Sequence, residues 1–310
     1  MKKYDVLVIG DINPDIIITG LKKYPGPGEE RLVDDLNITP GGGATISSLA
    51  LAKLGLDIAI YGCIGKDLFS KMLLDSLVEV GVDITNVSIL NDTKAGTSIV
   101  LSDEKDRSFI TYRGALEKLD LYSISDEVLN NCDFCFLHNY DHNKIDEYLD
   151  LANRLKKLGK KIIFDVGYDE SEQWDPKVFE LLGKVDLFVP DELEALCFSG
   201  KKTIAEALSQ LSKFCPNVVV KAGKQGAYAL KDGSIINVPC FPTTVVDSTG
   251  AGDSFDAGFI YGMVKGYSLE NSLKLANFIG SLSVSAIGGS TGIPSTKELW
   301  EKIENLKVIE

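Results

Sequence analysis

The sequence predicts an α/β fold: a mostly parallel central sheet flanked by helices, with a small β-sheet lid outside it. Three observations carry this expectation. Short apolar runs alternate with longer segments of helical periodicity, the pattern of βα units. The runs are rich in Val, Ile, Leu and Phe, as strands covered on both faces should be. Two stretches, 12–39 and 92–113, break the alternation with extended pieces that have no crossover helix between them.

The first strand is 5–9, and the run that contains it imitates a secretion signal only until Asp11 cuts it short, with no small-residue cleavage site behind it. Further strands are expected at 57–61, 133–137, 161–165, 186–189 and 217–221. Helices are expected at 44–54, 67–80, 143–158, 175–183, 201–213, 251–265 and 268–287. In 143–158, Ile145, Leu149, Ala152, Leu155 and Leu158 recur at spacings of three and four, one apolar stripe. The two irregular stretches hold Pro25-Gly26-Pro27-Gly28 and a hairpin joining 97–101 to 107–111. They predict a small antiparallel sheet with one apolar face to cover, against an active-site opening or a second subunit. The organisation expected is one domain over 1–310, with lid segments at about 12–39 and 92–113.

Composition narrows the function. The 310 residues carry 45 acidic and 32 basic side chains, a net charge of −13. Such a balance repels phosphate backbones and anionic lipid, so neither nucleic acid nor a membrane surface is the expected partner. No run reaches the roughly 18 apolar residues that span a bilayer. Six cysteines are too sparse for a disulfide scaffold in a chain this long, and a reducing, cytoplasmic setting is expected. Cys132 and Cys135 form an isolated CxxC; with only His138 and His142 as histidines, zinc is not expected.

The chemistry concentrates in Val246-Asp247-Ser248-Thr249-Gly250-Ala251-Gly252-Asp253-Ser254-Phe255-Asp256-Ala257-Gly258-Phe259. Small residues leading into a helix leave backbone N–H groups near 250–253 open, a site that attracts phosphate. Asp253 in that first turn has two readings. It stabilises the helix N-terminus, as acidic residues there commonly do. Or it takes a proton from an attacking hydroxyl while the N–H groups absorb charge on a transferring phosphoryl group. No Walker A sequence occurs, and Gly250-Ala251-Gly252 lacks the third glycine of a dinucleotide fingerprint.

The segment from Asp247 to Phe259 resembles the C-terminal signature of the PfkB/ribokinase family of carbohydrate kinases, with Ser248 a mild substitution. Gly41-Gly42-Gly43-Ala44-Thr45-Ile46-Ser47-Ser48-Leu49-Ala50-Leu51-Ala52-Lys53-Leu54-Gly55 resembles its N-terminal signature, and Tyr61-Gly62-Cys63-Ile64-Gly65-Lys66-Asp67 its V-G-x-D segment. The resemblance implies a ribokinase-like three-layer sandwich and an ATP-dependent sugar kinase acting on a hydroxymethyl group. It implies Asp253 as base, with Gly250, Ala251 and Gly252 forming the anion hole. Asn13 and Asp15 match the family's sugar-binding pair, and Gly42 and Gly43 would let the sugar approach the backbone. Asp191 and Glu194 match the N-x-x-E motif that organises Mg2+ and phosphates, with Asp191 in place of Asn. Lys221, Gly223 and Gly226 match the strand and turn that pass ATP, and Asn277 lies where relatives place a residue at the adenine. Asp247 and Thr249, with Ser283, Ala286 and Gly288, match part of a monovalent cation site, so the expected cofactors are ATP, Mg2+ and, as in many relatives, K+.

The departures bear on the substrate. Ile46 replaces an Asn that contacts sugar hydroxyls in some relatives, and Asp165-Val166-Gly167-Tyr168-Asp169 lacks the Asn and Arg of fructokinase-like members. Arg113 could reach a carboxylate or phosphate on an acidic sugar, or form an ion pair. Asn139 is expected as a sugar contact at the carboxyl end of its strand, with His138 structural. A nucleoside kinase of the same family remains an alternative, Ile46 and its apolar neighbours permitting a base to stack. A catalytically silent sugar-binding regulatory protein is the other. The lid sheet suggests a homodimer.

Overall fold

The computed structural model describes residues 3–102, 107–169 and 171–309. Six strands build the central sheet: β1 (Tyr4–Ile9), β4 (Ile58–Ile64), β5 (Asp83–Ile89), β8 (Cys132–His138), β9 (Lys161–Asp165) and β10 (Leu187–Phe188). Their order is β10-β9-β8-β1-β4-β5, and every neighbouring pair is parallel. Alternate side chains enter opposite layers: Val6 and Val8 pack on one face of the sheet, Leu7 and Ile9 on the other.

The first layer is formed by α1 (Gly43–Leu54), α2 (Leu68–Glu79), α8 (Ala251–Lys265), α9 (Leu269–Ser283) and α10 (Thr296–Asn305). The second holds α3 (Asp126–Asn130), α4 (Ile145–Lys157), α5 (Val178–Leu182), α6 (Glu192–Ser199) and α7 (Ile204–Leu211). A three-stranded antiparallel sheet of β11 (Val219–Lys221), β12 (Ala227–Lys231) and β13 (Ser234–Val238) sits beside β10, joined to that edge by parallel bridges Phe188 to Val218 and Asp191 to Lys221.

The lid is a separate four-stranded sheet of β2 (Asn13–Thr19), β3 (Asp35–Gly41), β6 (Thr97–Ser102) and β7 (Arg107–Tyr112), ordered β3-β2-β6-β7. It is mixed, where the sequence predicts an antiparallel sheet: β2 and β6 run parallel. Each follows a strand of the central sheet, β2 after β1 and β6 after β5, so both leave from the carboxyl end of the parallel strands. The expected hairpin is present, with Ile99 opposite Ile110. Register lines up Thr39, Asp15, Ser98 and Thr111 across one face, and Ile38, Ile16, Ile99 and Ile110 across the other.

Strand β13 and helices α3 and α10 are not among the expected elements, and three further differences have visible reasons. Strand β5 is an edge strand whose residues alternate with Asp83, Thr85, Asn86 and Ser88 and are all partly or fully exposed, so it lacks the apolar run of a covered strand. Helix α6, not among the expected helices, begins with Glu192 behind an Asp191 cap inside the stretch matched to the N-x-x-E motif. The helix expected over 268–287 ends at Ser283, where the chain turns back through Gly288 and Gly289 toward the start of α8.

Candidate active site

The carboxyl ends of the parallel strands, where ligands bind in open α/β sheets, collect the polar residues. Asp11 follows β1, His138 ends β8, Asp165 ends β9, Asp191 follows β10 and Lys221 ends β11. The N-termini of α1 and α8 point into the same region.

Helix α8 begins as the sequence predicts, at Ala251, with Gly250 in the left-handed conformation (φ 68°) that favours glycine. A Cβ at Gly250 would also lie 2.5 Å from Gly289 Cα, so glycine serves both the turn and the packing. No side chain of the N-cap satisfies the first N–H groups of α8; Ala251 N donates to the Ser248 carbonyl at 3.3 Å, and the remaining donors and the positive end of the helix dipole are left for an anion. Helix α1 differs: its Gly43 and Ala44 N–H groups donate to the Asp11 carboxylate at 3.2 and 3.3 Å. Asp253 lies in the first turn of α8, and its Oδ1 is 2.8 Å from His138 Nε2. Sequence reasoning expected His138 to be structural; it touches the candidate base. Nothing local in the sequence signals this contact, which spans 115 positions.

Beneath these groups lies a buried ion cluster. The Lys221 ammonium is 2.8 Å from Asp165 Oδ2 and 3.2 Å from Asp256 Oδ2, and its Nζ lies 3.4 Å from where a Gly252 Cβ would stand. Burial works to neutralise Lys221, but Asp165, Asp256 and Glu194 outweigh it and raise its pKa well above the ordinary lysine value. Burial raises the Asp256 carboxyl well above its usual range, while Lys221 and His138 hold Asp165 ionised against the same burial. His138, Asp165, Asp253 and Asp256 present ligand-capable atoms within 4.8 Å of one another. Lys221 already bridges two of the four, so an ion-pair cluster describes them better than a metal centre.

The residues expected to meet sugar gather on the lid side. Asp15 is buried on β2, its carboxyl over Gly41, where a Cβ would fall 2.2 Å from Asp15 Cγ. Burial first, then the charges of Asp253, Asp11 and Asp247, push its pKa up to about 8. Asn13 Nδ2 donates to Asp15 Oδ1 at 3.3 Å and to Ser98 Oγ at 3.4 Å, and Ser98 and Thr111 hydroxyls are 3.1 Å apart. Ser98 and Thr111 had no signal in the sequence, because only strand pairing places them in one row with Asp15. Gly42 lies against Asn13, but the space over Gly43 is filled by the His138 ring. Ile46 is buried, its Cδ1 next to Gly250 and Gly289; packed behind the turn, it offers no face to a stacking base.

A cleft of about 710 Å³ opens between the lid and the ends of β1 and β8, lined among others by Asp11, Arg107, Thr111, Arg113, His138 and Asn139. His138 stands between this cleft and Asp253. Arg113 pairs with Asp141 at 2.9 Å on the cleft wall. Asn139 has φ 63°, and Tyr148 donates to its carbonyl at 2.8 Å, which fixes the loop after β8.

On the other side, Asp191 and Glu194 form a capping box for α6: each carboxylate accepts the other's backbone N–H, both at 2.8 Å. Burial, with Asp165 and Asp191 nearby, raises Glu194 to about 8, and burial also raises Asp191. Gly223 begins the turn after β11, and Gly226 ends it against the Val238 carbonyl. Asn277 is spent on backbone, donating to Val238 O at 2.8 Å and Pro239 O at 3.3 Å. Asp247 accepts from Thr249 N at 2.9 Å, Thr249 Oγ1 at 2.8 Å and Gly288 N at 2.9 Å. Ser283 donates to Gly289 O at 2.6 Å, and Ala286 N bonds the Ser283 carbonyl at 3.4 Å. These bonds tie the 283–289 loop to the entry of α8.

The profile of the pfkB family carbohydrate kinases matches residues 3–296, and the chain belongs to that family. Bacillus subtilis ribokinase is 26% identical over 317 residues, covering 96% of this chain and 98% of that one. Among solved structures, a ribokinase II candidate from E. coli in complex with ATP and Mg2+ superposes with a TM-score of 0.84 at 26% identity, covering 97% and 99% of the two chains. Arabidopsis thaliana ribokinase complexed with ribose and ATP gives 0.82 at 26% identity, covering 97% and 98%.

Proposed function

We propose that the protein transfers the γ-phosphoryl group of ATP to a hydroxymethyl group of a small sugar or sugar derivative. The observation that carries this reading is Asp253 in the first turn of a helix with no N-cap side chain, with the Lys221 ammonium beside Gly252. The sugar O–H gives its proton to Asp253 as the new O–P bond forms; the bond from the γ-phosphorus to the bridging oxygen breaks and ADP leaves. The N–H groups of 250–252 face the charge on the transferring group. The polar row of Asp15, Ser98 and Thr111, with Asn13, holds the sugar hydroxyls, and Asn139 and Arg113 meet the remainder in the cleft.

A divalent cation fits the donor set on the nucleotide side. Glu194 is a buried carboxyl with one oxygen engaged, crowded by Asp165 and Asp191, and added positive charge there relieves the crowding. Asp191 and Glu194 would hold Mg2+ arriving with ATP, which offsets phosphate charge. Lys221, Gly223 and Gly226 border the path of the phosphates, and Asn277 orients the backbone at the nucleotide end. A monovalent cation at the 283–288 carbonyls belongs to the same reading, and replacing K+ with choline is expected to lower kcat. The apolar row Ile38, Ile16, Ile99 and Ile110 on the outer lid face supports a homodimer through the lid; light scattering at micromolar concentration should give twice the chain mass.

The test is ADP release with Mg-ATP against pentoses, hexoses, ketoses, sugar acids and nucleosides. Asp253→Asn should lower kcat by about 10²–10⁴-fold, the range of a lost general base. Tyr140, Tyr168 and Phe109 in the cleft lining favour a nucleoside as the second reading. Sugar binding without ADP release would instead support a silent binding protein.

A further inference from the structure

His138 has no part in the reaction as described so far, yet it is 6% exposed and held from every side. Its Nε2 is 2.8 Å from Asp253 Oδ1 and 3.6 Å from Asp165 Oδ2, and its Nδ1 is 3.4 Å from Asp11 Oδ1. One edge of the ring meets Phe136 in a T-shaped contact, centroids 5.4 Å apart. Its Cε1 lies where a side chain at position 43 would begin, 1.6 Å from an added Cβ, so only glycine at 43 admits the ring. Asp11 is itself fixed by the N–H groups of Gly43 and Ala44. The charged groups facing the ring are Asp11 after β1, Asp165 at the end of β9, Asp253 and Asp256 on α8, and Lys221 at the end of β11. Helix α1 faces it at Gly43.

A neutral imidazole has one N–H and one lone pair. With a carboxylate oxygen at each nitrogen, the neutral ring must turn its lone pair on one of them. The imidazolium hydrogen-bonds Asp253 through Nε2 and presents its charge to Asp11 at ion-pair distance, Nδ1 making no hydrogen bond among the described residues.

We propose that His138 is a positioning residue for Asp253: as an imidazolium strung between Asp11 and Asp253 it fixes the orientation of the base and supplies countercharge within the carboxylate cluster. This rests on the reading of Asp253 as base. With Oδ1 occupied by His138, Oδ2 is the oxygen that accepts the proton of the sugar hydroxyl. Burial opposes the charged ring, and the Asp11 and Asp253 carboxylates beside its two nitrogens overcome it, raising its pKa well above the ordinary histidine value.

Two measurements decide it. The chain has two histidines, so His142→Gln assigns the imidazole NMR signals of the wild type. His138 should remain an imidazolium at pH 8, and in Asp253→Asn it should lose its proton at lower pH. A wild-type His138 that titrates near the ordinary value of about 6.5 overturns the proposal. In kinetics, His138→Gln keeps a donor near the Nε2 position without the charge, and His138→Leu removes both. Both should lower kcat about tenfold or more and move the acid limb of the kcat/KM profile to higher pH, with Gln recovering part of the kcat lost in Leu. An acid limb unmoved in the folded Gln variant overturns the proposal, whether or not Leu folds. A wild type that phosphorylates nothing defeats the phosphotransfer reading instead, and the NMR titration then decides the bridge alone.

Discussion

Asp15, the proposed sugar contact, is held at the expense of stability. Its carboxyl is buried over Gly41 among other acidic groups, and its pKa rises from 3.8 to about 8. The folded state therefore binds a proton that the unfolded chain has released between those two values. Stability from this group is complete below about pH 4 and is lost as pH rises through about 8. Asp15→Asn, which keeps the shape and removes the titration, should raise Tm at pH 8 more than at pH 5. It should also raise KM for the sugar, because a carboxyl group that accepts from two hydroxyls once ionised is replaced by an amide with one acceptor oxygen. Equal Tm changes at both pH values would contradict the assignment. Asp253 and its small-residue turn were legible because helix-start chemistry is local in sequence. His138, Ser98 and Thr111 were not, since β-strand register and a contact across 115 positions bring them in.

At the scale of elements, the entry to α8 rests on β9, β11 and α1 at once. Lys221 reaches from β11 to Asp165 on β9 and Asp256 on α8, and Asp256 is fully buried. Lys221→Met removes the cation and leaves Asp165 and Asp256 buried without it, so it should destabilise the fold by about 3–5 kcal/mol, the usual result of breaking a buried pair. Urea unfolding measures this; a loss near zero would mean that the cluster is solvated. Gly43→Ala should displace the His138 ring from its place over α1, lowering kcat while far-ultraviolet circular dichroism stays unchanged. The parallel core strands were legible as apolar runs. Strand β5 was hidden because an edge strand alternates polar residues, and the end of α9 was hidden because the loop returning to Gly288 is fixed by Asp247, 41 positions away.

For the whole molecule, a net charge of −13 is compatible with the proposed phosphoryl transfer because the anion would meet backbone N–H groups and one buried lysine, not a basic surface. The polar row and the isoleucine row lie on opposite faces of the lid sheet, so in the proposed function substrate enclosure and a subunit contact would use different faces. Lid closure over the sugar would exclude water and suppress wasteful hydrolysis of ATP. Mutating the outer row, Ile38→Lys with Ile110→Lys, should shift the mass in light scattering from two chains to one; a single chain in the wild type would contradict the lid interface. The most direct test of the account is 31P NMR of a reaction containing the protein, Mg-ATP and each candidate sugar or nucleoside. The account predicts one phosphomonoester signal growing in equal amount with ADP, absent with Asp253→Asn of unchanged Tm. Product formed equally well by Asp253→Asn, or ADP formed without any phosphorylated acceptor, would contradict it.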